Sequence, residues 1–181
     1  MLTIITPSYR QYNLEKIFNT INFDKIDKWI IVYDTSKNRT YNKIFNNPKI
    51  IETFCDDECV VGNSQRNFGL NLVENGHIYF LDDDNIIHPN FWNIVDLFEE
   101  EYFYTFDQIR HNGDILFGNR LEVEHIDTAM FVVHKKMVEG IKWEITRYQA
   151  DGIFIETVNK FYSEKHRYIN CVAACYNYLV N

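Results

Sequence analysis

The sequence lacks any block of lysines and arginines. Its 18 basic residues are outnumbered by 26 acidic ones, for a formal net charge of -8 over 181 residues. A general nucleic-acid binder shows a basic face, so no nucleic-acid partner is expected. No apolar run approaches the roughly 20 residues needed to span a bilayer, so no transmembrane segment is expected. No signal peptide is read either, because Met1 leads straight into the β-like run "LTIIT". The expected location is therefore cytoplasmic. There is no GxxxxGKS/T, which argues against a P-loop enzyme, and no GxGxxG, which argues against dinucleotide binding. There is no GxSxG, which argues against a serine hydrolase of the α/β type. Internal repeats and low-complexity linkers are absent as well. Cysteine is sparse: Cys55, Cys59, Cys171 and Cys175 form two CxxxC spacings without a CxxC or a nearby histidine pattern. That is weak support for structural zinc, and buried free thiols are the expected state.

What is present suits a globular domain: 46% apolar, 24% charged and 16% aromatic residues. The length fits a single domain over 1–181 with a real core. It divides into a ligand-binding half over 1–100 and a second half over 101–181, and its length also fits a piece of a longer chain. "LTIIT" reads as a strand ended by Pro7. "LEKIFNTI" has helical spacing, and "WIIVYD" reads as a buried strand ending at Asp34. An Asn-rich loop follows, then the strand "KIIETF". A helix over "SQRNFGLNLVE" is expected to be capped by Asn63 or Ser64. "HIYFL" reads as a fourth strand, and a further helix begins near Pro89. The second half is less regular. "YFYTF", "DILFGN" and "TAMFVVH" read as antiparallel or mixed strands, "YQADGIFIETVNKFY" as a helix, and "YINCVAACYNYLV" as ambiguous. The order β-α-β-(α)-β-α-β-α predicts an α/β fold with a Rossmann-like, mainly parallel central sheet flanked by helices. A smaller mixed or antiparallel part would follow it. Ligands of such sheets bind at the carboxyl ends of the strands, where "TPSYR", "YDTS" and "LDDDN" converge.

The segment "IYFLDDDNIIHPNFW" gathers Asp82, Asp83 and Asp84 at the end of a buried strand. Two like charges about 4 Å apart repel by roughly 4 kcal/mol at an effective dielectric near 20. A cation would turn that repulsion into affinity. In an extended chain Asp82 and Asp84 point one way and Asp83 the other. One or two carboxylates plus substrate phosphates is the usual setting for Mg²⁺ or Mn²⁺.

Six segments, in order, resemble a GT-A glycosyltransferase of the inverting, family 2 type: "IITPSYR", "IVYDTS", "GNSQRNFGL", "YFLDDDN", "RLEVEHIDTAMFVVHKK" and "YQADGIF" with the preceding Trp143. The resemblance spans residues 2 to about 156. It implies a metal-dependent transfer of a sugar from a nucleotide-diphosphate sugar, UDP-linked, to an acceptor hydroxyl on a glycan or glycoconjugate. It implies Mn²⁺ or Mg²⁺ held by Asp84, with His166 as the candidate for a late histidine ligand. Asp82 and Asp83 would contact the donor. Asp34 would meet the base, with Pro7, Tyr9 and Arg10 lining its pocket, and Arg66 would face the base or diphosphate. Asp151 would be the general base, Trp143 would stack on the acceptor, and Asp127 and Thr128 would hydrogen-bond it. Many members carry Glu-Asp at the base position, where this chain has Ala150-Asp151. Plainer readings stand beside these. The aspartates suit a solvated turn, Asp34 and Asp151 suit capping, and Trp143 suits the core. Two other functions fit the same residues: a haloacid-dehalogenase-like phosphatase using Asp82, or a non-catalytic nucleotide- or sugar-binding module.

Overall fold

The computed structural model describes residues 1–180. Strands β1 (Leu2–Ser8), β2 (Lys28–Asp34), β3 (Ile50–Cys55) and β4 (His77–Phe80) pair in parallel in the spatial order β3-β2-β1-β4. Helix α1 (Leu14–Phe18) connects β1 to β2, and α2 (Asn63–Asn71) connects β3 to β4. The chain winds outward from β1 to β3, then crosses back to place β4 on the other side of β1. That reversal opens a crevice beyond the carboxyl ends of β1 and β4, where α/β sheets take their ligands.

β1 does not stop at Pro7 as the sequence suggested; it runs through to Ser8. Proline lacks a ladder donor, but β4 pairs with β1 only as far as Ile5. Past that point β1 has the edge character on one side that tolerates proline. Asn63 and Ser64 are not caps. Gly62 takes the N-cap position in a left-handed conformation, and no side chain caps α2. Asn63 instead donates to the carbonyls of Glu144 and Arg147, both at 2.9 Å.

The sheet as a whole is mixed, not mainly parallel. Two-residue β5 (Ile86–Ile87), long β6 (Phe103–Arg110), short β7 (Ile115–Leu116), β8 (Phe131–His134) and β9 (His166–Tyr176) extend the first four strands. The full order is β3-β2-β1-β4-β8-β6-β9-β5, with β7 on β6. β8 is antiparallel to both β4 and β6, while β9 runs parallel to β6. The second half is thus a continuation of one sheet, not a separate part. The ambiguous C-terminal segment is strand β9, and "DILFGN" supplies only the two residues of β7. Helices are few: α3 (Phe91–Ile94) is one turn, and α4 (Ala150–Tyr162) is the longest.

Strand residues alternate between two cores. Ile4, Ile31, Tyr33 and Tyr79 face α1 and α3 through Leu14, Ile17 and Phe91. Ile5, Ile30, Val32, Phe80 and Phe131 face α2 and α4 through Leu70, Phe154, Ile155 and Val158. On α4, Ile155 enters the core while Phe161 is exposed. Buried Glu52 accepts from the Tyr33 hydroxyl (2.6 Å) and the Ile44 and Phe45 amides (2.9 and 3.0 Å). It thereby pins the Asn-rich loop beside β2. All four cysteines are free. No helix among the described residues is long and apolar enough to cross a membrane.

Candidate functional site

A cavity of about 940 Å³ opens at the crevice beyond β1 and β4. Pro7, Tyr9, Arg10, Asp34, Arg66, Asp82, Asp83, Asp84, Asp127, Thr128, Trp143 and Asp151 all line it. They come from seven separated stretches of chain, which only the tertiary fold brings together. His166 is not among them. It opens β9, stacks on Phe103 at 5.0 Å and hydrogen-bonds Thr105 Oγ1 at 2.8 Å. His166 therefore stands outside the cavity that Asp84 lines, against the expectation that it joins Asp84 on a metal.

The three aspartates are not extended: the Asn85 amide donates to the Asp82 carbonyl at 3.1 Å and closes a turn over them, and within that turn the buried aspartate has an internal task. Asp83 is 2% exposed and accepts from the Tyr9 amide (2.8 Å), the Arg10 amide (2.6 Å) and Arg10 Nη1 (2.7 Å). It clamps the loop after β1 to the loop after β4, so its carboxylate is committed to the protein. The backbone of this acidic turn is held from the other side by Asn13 Nδ2 on the Asp83 carbonyl and by the Leu179 amide on the Asp84 carbonyl. Asp82 and Asp84 face the cavity, each with one guanidinium. Arg10 bridges to Asp84 at 2.9 Å, and Arg66 pairs with Asp82. Burial, with Asp82 as a like-charged neighbour, pushes the Asp84 carboxyl up to about 6. Such a pair gains from a cation beyond the two arginines.

Arg66 is itself 3% exposed. Besides Asp82 it donates to the Val61 carbonyl and Asn63 Oδ1, both at 2.8 Å, and lies 4.8 Å from the Trp143 ring centroid. It holds a strained corner: Val61 has φ 46°, and Gly62 follows at φ 82°. A β-branched residue in that region costs on the order of 1–3 kcal/mol and persists only where its surroundings hold it. Arg66 is thus a positioning residue for Asp82 and for the lip of the cavity. Trp143 is 2% exposed, stacked on Phe154 at 4.7 Å and covered by Arg66, so it is not an open platform for a sugar. The exposed aromatic beside Asp151 is Tyr148.

At the end of the cavity beyond β2, Asp34 pairs with Arg39 and accepts from the Ser36 amide at 3.0 Å. The half-exposed Tyr9 ring lies under Arg10, 4.0 Å from its guanidinium carbon, with Arg39 at 5.6 Å. At the opposite end, Asp151 sits in the first turn of α4, one residue inside the helix and not at its cap. Burial pushes its carboxyl up to about 6, against the Gly152 amide and Arg66, which favour ionisation. Asp127 caps the short turn Thr128–Met130 and accepts from Gln108 Nε2 at 3.1 Å and the Ala129 amide at 3.2 Å. Burial, then Asp82 and Asp151, push it up to about 7.

The sequence reading missed Arg39, Gln108 and Tyr148. Arg39 and Tyr148 lie close in sequence to predicted site residues, and that proximity was a usable signal. Gln108 reaches the cavity only through the register of β6, which no local pattern reveals. As for a cation, Asp82 and Asp84 are the carboxylates able to hold one. Among the described residues no three His, Cys, Asp or Glu side chains gather as a ready-made metal site. Two carboxylates suit a hard cation that completes its shell with water and phosphate oxygens, not a closed protein cage.

No family model matches the chain, and no curated protein matches it by sequence. Solved structures do match. Residues 1–349 of S. aureus TarS align with a TM-score of 0.70 at 14% identity, covering 96% of this chain and 59% of that one. The same TarS fragment in complex with UDP gives 0.67 at 12% identity, over 96% and 59%. In complex with UDP-GlcNAc it gives 0.69 at 12% identity, over 96% and 57%. The chain thus spans less than two thirds of these neighbours. The likeness is one of fold: this chain shares its mixed α/β fold with TarS, a protein that has been crystallised with UDP and UDP-GlcNAc.

Proposed function

We propose that the chain is a metal-dependent, inverting glycosyltransferase of the GT-A type, transferring a hexose from a UDP-linked donor to an acceptor hydroxyl on a glycan or glycoconjugate. The observation that carries this reading is one cavity with Asp82 and Asp84 at the switch point and Asp151 across from them, in a fold shared with a UDP-GlcNAc-binding protein. The base would lie against Tyr9 and its arginines, with Asp34 as hydrogen-bond acceptor. Asp84, helped by Asp82, would hold Mn²⁺ or Mg²⁺, which supplies charge neutralisation for the departing diphosphate. Arg10 and Arg66 fix the two carboxylates. Asp151 takes the proton of the acceptor hydroxyl as that oxygen attacks the anomeric carbon from the face opposite the leaving group, which inverts the configuration. A carboxyl near 6 in a half-buried setting suits that task better than one at 4, because a base works best with a pKa near the operating pH.

The phosphatase reading is less well supported. Its nucleophile, Asp82, is engaged by Arg66 and follows the fourth strand. A non-catalytic module would keep nucleotide binding without turnover. Calorimetric titration of UDP with Mn²⁺ and with EDTA tests the proposal. Binding that needs the metal and is lost in Asp84→Ala is expected. No UDP binding in the presence of metal would sink it.

A further inference from the structure

Between Trp143 and the start of α4 the chain forms no helix or strand, and every residue from Glu144 to Gln149 is exposed. Such a segment is not placed by its own packing. Side chains of α2 place it. Asn63 Nδ2 donates to the Glu144 and Arg147 carbonyls, both at 2.9 Å. Asn67 makes a two-point contact with one residue: its Oδ1 accepts from the Trp143 amide at 2.8 Å, and its Nδ2 donates to the Trp143 carbonyl at 2.9 Å. The Val60 amide, just before the helix, adds a bond to the Ile145 carbonyl at 2.9 Å. Asn63, Arg66 and Asn67 fall at i, i+3 and i+4, so they share one face of α2. From that face Arg66 pairs with Asp82 and donates to Asn63 Oδ1 at 2.8 Å. Asn63 thus gives two protons to the segment and accepts one from Arg66, a combination that a carboxamide supplies and a carboxylate or hydroxyl does not.

We infer that Asn63 and Asn67 are positioning residues for the acceptor side of the site: with Arg66 they make one face of α2 the shared mount of the acidic turn and of the segment 143–149, and so fix Asp151 relative to Asp82. The segment carries Tyr148 and Gln149 on the cavity wall and runs directly into the first turn of α4, where Asp151 lies. A rigid helix that grips both walls holds them in register, and a displacement of about 1 Å is costly to a reaction that needs two groups aligned. The inference rests on the transferase reading for what this wall faces, and adds to that reading the residues that hold it.

Two variants separate the contacts. Asn67→Ala removes both bonds to Trp143 and leaves Arg66 untouched. Asn63→Asp removes both donations to the segment, while an oxygen still accepts from Arg66. In each, trypsin should cut after Arg147 at least about tenfold faster than in the parent, the effect of losing two hydrogen bonds on local opening. In Asn67→Ala the Asp151 carboxyl, followed by carbon-13 NMR, should titrate lower, moving from about 6 toward the ordinary value near 4. Arg66 and Asp82, the charges that Asp151 feels, are the same in both chains, so the fall reports lost burial. Calorimetry of UDP in Mn²⁺ should give the parent's affinity within about twofold, because Asn67 meets no donor-side group. A thermal melt identifies a variant that folds poorly, and the other then carries the test. Unchanged cleavage in a folded variant overturns the inference. Faster cleavage with an unmoved Asp151 titration also overturns it, since the asparagines would then pin the segment without positioning the carboxyl. Failure of the parent to bind UDP removes the transferase reading, and the cleavage and titration results still decide the mount.

Discussion

Asp151 and Arg66 show how burial gives single residues unequal parts. As the proposed base, Asp151 would have to be ionised to take a proton, and its carboxyl is raised to about 6. Activity should therefore climb as pH rises through about 6 and level off above it, read from kcat/KM against pH. Asp151→Asn should lower kcat by roughly 10²- to 10⁴-fold while UDP still binds by calorimetry. Loss of UDP binding in that variant would instead mark Asp151 as a residue that shapes the cavity. Arg66 meets Asp82, Val61, Asn63 and Trp143 at once. Arg66→Met strips one partner from a largely buried ion pair and should cost about 3 kcal/mol or more in urea unfolding. Arg66→Lys should rescue little, because one ammonium cannot replace a planar fork reaching a carboxylate and a carbonyl together.

At the scale of elements, the corner before α2 decides where the cavity lip stands. A Cβ on Gly62 would lie 2.9 Å from Pro7 Cβ, and the residue already holds φ 82°. Gly62→Ala should destabilise by at least about 1 kcal/mol and push the loop after β1 outward. A melting temperature unchanged from the parent would refute that account. The neighbouring strands β4 and β8 carry a different device. His77 and His134 are cross-strand partners with ring centroids 5.0 Å apart, and burial drives His77 down to about 4 and lowers His134. Both stay neutral in the folded chain, so their contribution is present above the ordinary histidine range and is lost as pH falls from about 6.5 toward 4. His77→Gln should soften acid unfolding, measured by circular dichroism between pH 4 and 6.5. The two rings pack edge to face, so thermal stability at pH 8 is the control for lost packing.

Over the whole molecule, the site carboxylates and the histidines pull stability in opposite directions. Asp84, Asp127 and Asp151 have raised pKa values in the folded chain. Their contribution is largest below about pH 4 and declines as pH rises to between 6 and 7. Above 6.5 the histidines are neutral in both states, and Asp127, near 7, is the group still titrating. The stability gap between Asp127→Asn and the parent should therefore grow in favour of the variant from pH 4 to pH 8. The raised carboxyl sets an upper bound of about 4 kcal/mol, three units at 1.36 kcal/mol each. Denaturant unfolding at the two pH values measures it, and a constant gap would mean that Asp127 carries no burial penalty.

Local patterns were enough for the four parallel strands and the convergence of "TPSYR", "YDTS" and "LDDDN" at one end of the sheet, because apolar runs and turn residues act over a few neighbours. The extended-chain period expected for Asp82, Asp83 and Asp84 does not hold, because β4 ends at Phe80 and a turn closed by the Asn85 amide buries Asp83. Tertiary structure decided the rest. Pro7 stays in β1 because β4 ends early, a fact about a partner 73 residues away. The mixed sheet arises from β8 and β9, whose direction no strand-forming sequence encodes by itself. Trp143 is enclosed by Arg66 and Phe154, and His166 is drawn to Thr105, because packing chooses between burial and exposure for residues equally suited to either. Gln108 enters the site through strand register alone, so its unpaired oxygen is visible only once the chain is folded.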